Sequence, residues 1–349
     1  MRTVHVKASK EYDILIERGL LKHCGEAIKA VLNSDTVAII SDSVVAPLYM
    51  DVLTKTLEKS GIHAVSFVFK SGEASKTAET YIALLNFLAK NRINRKDTLI
   101  ALGGGVVGDL TGFAAATFLR GIGFIQIPTT LLACVDSSVG GKTAIDLDAG
   151  KNLAGAFYQP NLVICDPDTL KTLDDENYRG GMAEVVKYAI ICDEDFYRNL
   201  MDESLTVEEI IQKCVEIKRD IVEGDEFDTG KRQLLNFGHT LGHGIEACSH
   251  FALIHGLAVA IGMSLITKIS EANGICDRET VEAVDAVLDK YNLPKTTTVP
   301  MQDILDKMLN DKKVMAKNIN LVVPTKIGQC VLHPLPVSEL EDFIQKGFC

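Results

Sequence analysis

Two histidines in the second half of the chain have a spacing that could place them together on a metal ion. In the stretch LNFGHTLGHGIEA, residues 235–247, His239 and His243 are four residues apart. Residues four apart lie on one face of a helix, about one turn from each other, and neutral imidazole is a common ligand of zinc. The spacing by itself predicts either that both rings bind one ion, or that one ring binds the ion and the other transfers protons.

Further histidines and an acidic residue extend this candidate metal site. Four of the eight histidines lie within 17 residues of one another: His239, His243, His250 and His255. Upstream, Glu184 and Lys187 are three residues apart in an apolar stretch, so a helix would bring both to one face. Two histidines and a carboxylate with one open position are typical of a catalytic zinc. Each residue alone is more often a core residue or half of a surface ion pair, so the prediction rests on the cluster.

A glycine-rich stretch in the first half has the spacing of a dinucleotide-binding turn. LGGGVVGDLTGF, residues 102–113, follows a predicted strand, and Gly103, Gly105 and Gly108 fit the pattern G-x-G-x-x-G. Glycine lets the backbone approach a pyrophosphate, and the amino terminus of the next helix offers free N–H groups. No acidic residue follows at the usual distance of about 20 residues. A tight strand-to-helix turn without a ligand is therefore an equal alternative.

A second stretch with glycine and lysine does not fit a P-loop. VDSSVGGKTAI, residues 135–145, contains Gly-Lys-Thr, but Asp136 stands five positions before Gly141, where the P-loop has glycine. Lys142 and Lys151 still add positive charge near a possible phosphate site. Either lysine alone is more often a solvated surface residue.

The pattern of apolar residues divides the chain into two halves. The first half has short apolar runs typical of buried strands, at 36–40, 65–69, 98–102, 124–127 and 162–165, with a helix at 78–90. The second half has helical patterns at 181–192, 206–222, 232–247, 253–272 and 280–290, and a hairpin of 319–323 with 329–332. Strands that alternate with helices indicate a Rossmann-like, mostly parallel sheet. The sequence thus predicts an α/β amino-terminal domain, residues 1–172, and an all-α carboxy-terminal domain, residues 173–349.

Composition and charge restrict the class of protein. Of the 349 residues, 47% are hydrophobic and 24% are charged, which is ordinary for a globular protein. The formal net charge of −11 argues against nucleic acid or an anionic membrane as the main partner. Nine scattered cysteines without a CxxC pair, and a first segment without an apolar signal core, favour a cytoplasmic location. The uncharged run 247–267 contains two histidines and is predicted to be a buried helix rather than a membrane span.

Seven ordered stretches resemble the 3-dehydroquinate synthases of the sugar phosphate cyclase family over nearly the whole chain. They are SGEASKT (71–77), GGGVVGDLTGFAAATFLRGI (103–122), IPTTLLACVDSSVGGKTAID (127–146), GKNLAGAFYQP (150–160), GGMAEVVKYAI (180–190), RQLLNFGHTLGHGIEA (232–247) and HGLAVAIGM (255–263). The resemblance implies a dehydroquinate synthase-like fold, with an NAD-binding α/β domain and a helical metal-binding domain. It also implies a homodimer with one divalent ion, zinc or cobalt, in each subunit.

The resemblance implies roles for individual residues. As metal ligands it implies Glu184, His239 and His255, which leaves His243 for proton transfer and substrate contact. For NAD it implies Asp42, Ser71, Gly72, Glu73, Ala74, Ser75, Lys76, Gly105, Val106, Val107, Gly108, Asp109, Thr129, Thr130, Lys142, Lys151, Thr169, Leu170, Lys171 and Thr172. For the substrate it implies Asp136, Asn152, Lys187, Lys218, Arg232, Asn236 and Lys313, with Arg120 reaching the site of the partner subunit.

The implied reaction converts 3-deoxy-D-arabino-heptulosonate 7-phosphate into 3-dehydroquinate and phosphate, in the shikimate pathway of aromatic amino acid biosynthesis. It proceeds through transient NAD-dependent oxidation at C5, phosphate elimination, re-reduction and intramolecular aldol closure, so the enzyme is a phosphorus–oxygen lyase. The lysines and Arg232 suit a phosphorylated sugar acid. The alternatives are a metal- and NAD-dependent polyol dehydrogenase of the glycerol type, a related sugar phosphate cyclase, and a protein that binds NAD and metal without turnover.

Overall fold

The computed structural model describes residues 1–249, 253–312 and 317–348, which form two compact units. The first unit consists of Met1–Leu173 and Val207–Phe227, and the second consists of Asp174–Thr206 and the chain from Asp228 onward. The sequence analysis assigned residues 173–349 to one domain. The segment Val207–Phe227 departs from that division, because the helix it forms packs in the first unit.

The described residues form eleven strands and twelve α-helices. The strands are β1 (Arg2–Lys7), β2 (Glu11–Ile16), β3 (Thr36–Asp42), β4 (His63–Phe69), β5 (Thr98–Gly103), β6 (Gly123–Pro128), β7 (Lys142–Leu147), β8 (Gly150–Phe157), β9 (Leu162–Cys165), β10 (Asn318–Lys326) and β11 (Gln329–Pro336). The helices are α1 (Gly25–Lys29), α2 (Ala46–Lys59), α3 (Ala78–Lys90), α4 (Gly105–Thr117), α5 (Asp175–Cys192), α6 (Glu194–Met201), α7 (Val207–Gly224), α8 (His239–Cys248), α9 (His255–Ala272), α10 (Arg278–Lys290), α11 (Met301–Lys312) and α12 (Leu340–Gln345). The five predicted strands of the first half and the helix at 78–90 are confirmed.

A seven-stranded sheet forms the centre of the first unit, in the order β1-β2-β9-β6-β5-β3-β4. All neighbours in it pair in parallel except β1 and β2, which are antiparallel. Side chains alternate between faces along a strand, so Val37 and Ile39 of β3 join one core cluster while Ala38 and Ile40 join another. Helices α1 and α2 contribute to the first cluster, and α3 and α4 contribute to the second. The predicted mostly parallel sheet covered on both faces is confirmed.

The direction of the chain across this sheet reverses between β3 and β5. From β3 the chain passes through α2 to β4 at the edge, and then returns through α3 to β5 on the other side of β3. Because α2 and α4 lie on opposite faces, the connections that follow β3 and β5 diverge. Ligands of open α/β sheets bind in the crevice that such a divergence leaves outside the carboxyl ends of the strands.

Helix α7 belongs to the first unit because of its contacts with the sheet. It packs against β1, β2 and the turn Ala133–Ser137. The Arg2 guanidinium donates to Gln212 and Glu209 at 2.7 and 2.9 Å. Its buried residues recur every three or four positions, as in an amphipathic helix: Ile211, Cys214, Val215, Lys218, Ile221 and Val222. Because one of these buried residues is a lysine, we expect α7 to have a role besides packing.

Helices α5, α8 and α9 form the centre of the second unit, and the strands β10 and β11 form the hairpin that the sequence predicts. The predicted continuous helix 232–247 is wrong. Residues Lys231–Asn236 form a 3-10 turn, and α8 begins only at His239, after Gly238 with a φ of 76°. A left-handed residue ends helical geometry. Among the described residues, none of the helices combines the length and the hydropathy that crossing a bilayer requires.

Candidate metal and nucleotide sites

The three predicted metal ligands lie together in the second unit. Oε1 of Glu184 is 3.5 Å from Nε2 of His239 and 3.5 Å from Nε2 of His255. Ligand atoms of all three residues lie within 4.8 Å of one another. Tetrahedral ligands bound about 2.1 Å from zinc lie about 3.4 Å apart, so these distances fit a single ion.

The second nitrogen of each ring faces an oxygen atom. Nδ1 of His239 is 3.0 Å from the carbonyl oxygen of Phe237, and Nδ1 of His255 is 3.2 Å from Oε2 of Glu246. Contacts of this kind keep the proton of a neutral ring on Nδ1 and leave the lone pair of Nε2 for a metal. The donor set and its orientation therefore fit a divalent transition-metal ion.

Backbone-to-backbone packing of three helices brings the ligands together. Both candidate histidines are the first residues of their helices, α8 and α9. A Cβ at Gly256 would lie 2.0 Å from the carbonyl oxygen of Gly180, and a Cβ at Gly262 would lie 2.0 Å from that of Gly238. No side chain fits at Gly256 or Gly262 without movement of the backbone, so these glycines allow α9 to approach α5 and the start of α8.

Burial and neighbouring charges shift the two rings in opposite directions. Burial lowers the pKa of His239 to about 3, against the opposing effect of the Glu184 carboxylate. Burial alone would also lower the pKa of His255, but hydrogen bonds to Glu184 and Glu246 outweigh it and raise that pKa to about 9. Nζ of Lys187 is 2.5 Å from Oε2 of Glu184, and both side chains are buried. This acid–base pair is therefore not the surface ion pair that its spacing usually indicates.

His243 lies one turn after His239 on α8 but outside the cluster around Glu184. Its ring centroid is 5.4 Å from that of His239 and 5.5 Å from that of His255, and its side chain is exposed. It belongs to a second group that could hold a metal, together with Glu246 and His255. Spacing alone would pair His239 with His243, whereas the structure brings His255 and not His243 to the Glu184 carboxylate.

Two further predicted substrate residues lie on the turn that leads into α8. Arg232 and Asn236 are part of the 3-10 turn Lys231–Asn236, and Arg232 is only 2% exposed. A buried guanidinium needs anionic or hydrogen-bonding partners. The turn thus holds a cation a few residues before the candidate ligand His239. Lys313, the last predicted substrate residue, lies outside the described residues.

The residues assigned to NAD follow neighbouring parallel strands of the first unit. Asp42 ends β3, 71–76 follow β4, 105–109 open α4 after β5, Thr129 and Thr130 follow β6, and 169–172 follow β9. Carboxyl ends of parallel strands share one edge of the sheet, where nucleotides bind in such folds. The hydroxyl oxygen of Thr129 is buried there, and within the described chain it has no hydrogen-bond partner. A bound nucleotide fits this edge, since it would supply such a partner.

Contacts within the protein account for some of the residues at this edge without a ligand. Oδ1 of Asp42 accepts two backbone N–H groups of the following turn, at 2.8 and 2.9 Å. A Cβ at Gly103 would lie 2.5 Å from Cγ2 of Val107, and a Cβ at Gly108 would lie 2.6 Å from Oε1 of Gln126. Close packing inside the protein thus favours glycine at positions 103 and 108, whereas a Cβ at Gly105 would meet only the side chain of Ser137, with Oγ at 3.2 Å.

Lys76 is the centre of a charged network in this region. Its Nζ is 2.6 Å from Oδ2 of Asp109, 2.5 Å from Oδ1 of Asn152 and 3.7 Å from Oε1 of Glu73. Lys151 also approaches Glu73, at 3.8 Å. Burial alone would lower the pKa of Lys76, but the Asp109 and Glu73 carboxylates outweigh it and raise that pKa. A cation is therefore held at the carboxyl edge, and Asn152, whose φ is 56°, reaches it from the β7–β8 hairpin.

Three other predicted nucleotide residues lie on β7 and on the 3-10 turn that follows β9. Lys142 opens β7 and is exposed. Nζ of Lys171 is 2.7 Å from Oδ1 of Asp168, and Oγ1 of Thr172 is 2.5 Å from the hydroxyl of Tyr49. These contacts lie within the first unit and order the 3-10 turn that follows β9.

Asp136 and Lys218 form a pair within the first unit. Asp136 lies on the π-helical turn Ala133–Ser137, a local geometry that is frequent at functional sites. Nζ of Lys218 donates to the Asp136 carbonyl oxygen at 2.7 Å and also to its carboxylate. Helix α7 brings the lysine there from 82 residues further along the chain. The two predicted substrate residues are thus adjacent.

Arg120 lies on an exposed turn with unusual backbone angles. Leu119, Arg120 and Gly121 have φ values of 52°, 69° and 114° in succession. Left-handed geometry is uncommon for residues other than glycine and carries strain. The structure therefore fixes the backbone of this arginine while leaving its side chain exposed.

Sequence reasoning missed Glu246, whose side chain is buried beside His255. A signal was present, because Glu246 follows His239 by seven residues and His243 by three, on one face of a helix. The orienting carbonyl of Phe237 left no such signal, since a backbone oxygen is common to every residue type.

Known proteins match the chain over nearly its full length. Residues 66–180 match the family model of the 3-dehydroquinate synthase N-terminal domain, and residues 181–314 match that of the C-terminal domain. A 3-dehydroquinate synthase of Streptococcus suis (strain 05ZYH33) is 43% identical over 344 residues, which is 96% of this chain and 97% of that protein.

Two solved structures share the fold. A 2-deoxy-scyllo-inosose synthase complexed with carbaglucose-6-phosphate, NAD+ and Co2+ has a TM-score of 0.88 at 25% identity, covering 99% of this chain and 100% of that one. A 2-epi-5-epi-valiolone synthase from Streptomyces hygroscopicus subsp. jinggangensis 5008, with NAD+ and Zn2+ bound, has a TM-score of 0.86 at 25% identity, covering 99% and 98%. The chain therefore belongs to the 3-dehydroquinate synthase family and has the dehydroquinate synthase-like fold.

Proposed function

We propose that this chain is a 3-dehydroquinate synthase, which converts 3-deoxy-D-arabino-heptulosonate 7-phosphate into 3-dehydroquinate and phosphate. The observation that carries the proposal is the convergence of Glu184, His239 and His255, with Lys187 buried against the same glutamate, in a chain of this family. A cation next to a metal-binding set suits an anionic substrate better than a neutral polyol. This favours the synthase over a glycerol-type dehydrogenase.

Glu184, His239 and His255 would hold one divalent ion, zinc or cobalt, and the carboxyl edge of the sheet would hold NAD. When bound, the ion polarises an alcohol or carbonyl oxygen, and NAD+ takes up a hydride and returns it. The Phe237 carbonyl and the Glu246 carboxylate each face Nδ1 of one ring, which would leave Nε2 of both rings for the ion. The protein thereby fixes the orientation of its ligands before any substrate binds.

The residues that the family resemblance assigns to the substrate suit an anionic ligand. Arg232 suits the carboxylate, because a guanidinium forms two parallel hydrogen bonds with it. Lys187 and Lys218 would each supply positive charge suited to a phosphate, and Asn152 and Asn236 would supply neutral donors. Asp136 holds Lys218 in place through the bonds already described. A chain with a net charge of −11 can therefore bind a polyanion through a local set of cations.

Proton transfer at the substrate hydroxyl is the role that we assign to His243. Its ring is exposed and lies within 5.5 Å, centroid to centroid, of both candidate ligand rings. Imidazole is the side chain best suited to proton exchange near neutral pH. His243 therefore suits proton transfer next to the ion without binding it.

The assembly and location that we propose are a cytoplasmic homodimer in which Arg120 reaches the site of the partner subunit. The left-handed turn that presents Arg120 supports a role beyond the single chain, since strain of this kind persists where the surrounding structure requires it. The eight cysteines within the described residues are free thiols, which fits a reducing compartment. The sedimentation coefficient of the purified protein tests the dimer.

Release of inorganic phosphate from the heptulosonate phosphate tests the function. We expect release to require a divalent ion and NAD in catalytic amount, to stop on addition of a chelator, and to proceed without a steady rise in NADH absorbance. Glu184→Gln should abolish both metal binding and release, whereas Glu282→Gln, at an exposed ion pair on α10, should leave both unchanged. Steady accumulation of NADH would instead identify a dehydrogenase.

A further inference from the structure

We propose that Glu246 is a positioning residue for the metal ion, because its carboxylate holds the ring of His255 with Nε2 directed at Glu184. The inference rests on the proposed metal site and adds a residue to it. Oε2 of Glu246 lies 3.2 Å from Nδ1 of His255, while Nε2 of the same ring lies 3.5 Å from Glu184. The ring is thus held between two carboxylates, one on each nitrogen.

His255 needs this support more than His239 does. The side chain of His255 is 33% exposed, against 12% for His239, so packing restricts its ring less. His255 is also the first residue of α9, and Ile254 before it provides no side-chain cap. His239 is oriented by a backbone carbonyl that its own turn fixes. A charged acceptor on the more exposed ring compensates for its weaker packing.

Burial of Glu246 supports a specific role for it. The residue is 5% exposed, and a buried carboxylate is costly unless charged or hydrogen-bonding groups satisfy it. Helix α8 therefore carries both a candidate ligand, His239, and, seven residues later, the support of the other candidate ligand. A carboxylate behind a ligating histidine fixes the proton on the far nitrogen and strengthens the near nitrogen as a metal donor.

A second metal ion bound by His243, Glu246 and His255 is the competing role for the same carboxylate. These three residues also lie close enough to hold an ion. However, Nδ1 of His255 cannot both donate a hydrogen bond to Glu246 and coordinate metal. The 3.2 Å between Nδ1 of His255 and Oε2 of Glu246 would suit a hydrogen bond or two ligands of one ion. A neutral imidazole has only one nitrogen lone pair to offer a metal, and Nε2 of this ring already lies 3.5 Å from Glu184, so one ion and one supporting carboxylate fit better.

Metal titration of the full-length protein tests the proposal. Glu246→Gln preserves the shape of the side chain but removes its charge, and we expect it to bind Zn2+ about 10- to 100-fold more weakly while still binding one ion per chain. The visible absorption spectrum of the Co2+ form should change, since it reports ligand geometry. Asp285→Asn is the matched control, because it removes a carboxylate that accepts from a buried serine of α9 away from the site. This control should leave affinity and spectrum unchanged.

The possible results separate this inference from the function it rests on. Unchanged Zn2+ affinity and Co2+ spectrum in Glu246→Gln, with metal lost in Glu184→Gln, would overturn the role of Glu246 and leave the metal site intact. Two ions per wild-type chain would overturn it as well, since Glu246 would then be a ligand. Metal binding that survives in Glu184→Gln would refute the proposed site itself. If Glu246→Gln does not fold, Glu246→Asp tests the role instead. Its carboxylate is shorter, so we expect a Zn2+ affinity between those of the wild type and a variant without the carboxylate, and an unchanged affinity would overturn the role.

Discussion

Individual atoms, rather than residue types, determine which histidines can bind metal here. His239 and His243 share a helix face, as their spacing predicts, yet only His239 has a nitrogen 3.5 Å from Glu184. The other ring at that distance belongs to His255, which starts a different helix. A spacing rule describes which residues of one helix lie on the same face. This metal site depends on how three separate helices, α5, α8 and α9, are placed relative to one another. Spacing could therefore identify the cluster of histidines but not the ligands within it, which only the family resemblance implied.

We predict different losses for two alanine substitutions at these rings. His255→Ala should lose the ion, because it removes one of three protein ligands. His243→Ala should retain one ion per chain but reduce turnover by about 100-fold or more, the usual contribution of a general acid or base. Metal content of the purified variants and their rates of phosphate release measure both effects. Equal loss of metal in the two variants would mean that His243 is also a ligand.

Glycine contacts between helices control the metal site at the scale of secondary-structure elements. The carbonyl oxygen of Gly180, four residues before Glu184, lies 2.0 Å from the position that a Cβ of Gly256 would take, and Gly256 follows His255 directly. The contact that fixes the distance between α9 and α5 is thus only one residue away from the candidate ligand His255. A change of backbone separation at this contact would move His255 away from Glu184.

Gly256→Ala should therefore affect both stability and metal binding. The added Cβ would lie 2.0 Å from a backbone oxygen, so the helices must separate, at a cost of about 1–3 kcal/mol or more. We expect a lower melting temperature of the metal-free protein and weaker Zn2+ binding. Gly224→Ala is the control, because a Cβ there meets no atom within 4 Å. Unchanged Zn2+ affinity in Gly256→Ala would show that the contact does not position the ligands.

Local sequence patterns predicted most elements but not their interruptions or partners. The buried strands of the first half followed from short apolar runs, and α3 was predicted at its observed bounds. The continuous helix 232–247 was wrong, because apolar periodicity continues through Gly238 although its φ of 76° ends the helix. The place of α7 could not be predicted either. Its apolar face would suit either unit, and only tertiary contacts with β1 and β2 decide between them.

At the scale of the whole molecule, the two kinds of candidate site are built from different units. Glu184, His239 and His255 all belong to the second unit, and all the residues assigned to NAD belong to the first. The cations of both sites are held by acids, as in the pairs Lys187–Glu184 and Lys76–Asp109. Each unit therefore carries its own cations with their counter-charges. This division predicts that each ligand stabilises the protein through its own set of residues.

Thermal unfolding of two variants tests this division. A ligand that binds only the folded state, present at a concentration 100 times its Kd, stabilises the folded state by about 2.7 kcal/mol. Glu184→Gln should abolish the rise in melting temperature caused by Zn2+ and leave the rise caused by NAD+ unchanged. Thr129→Val should leave the rise caused by Zn2+ unchanged and reduce, without abolishing, the rise caused by NAD+, because it should weaken NAD+ binding several-fold, the effect of about one hydrogen bond. The free protein should tolerate Thr129→Val, because within the described residues its hydroxyl has no partner to lose. Loss of the NAD+ response in Glu184→Gln would show that the nucleotide site depends on the metal cluster.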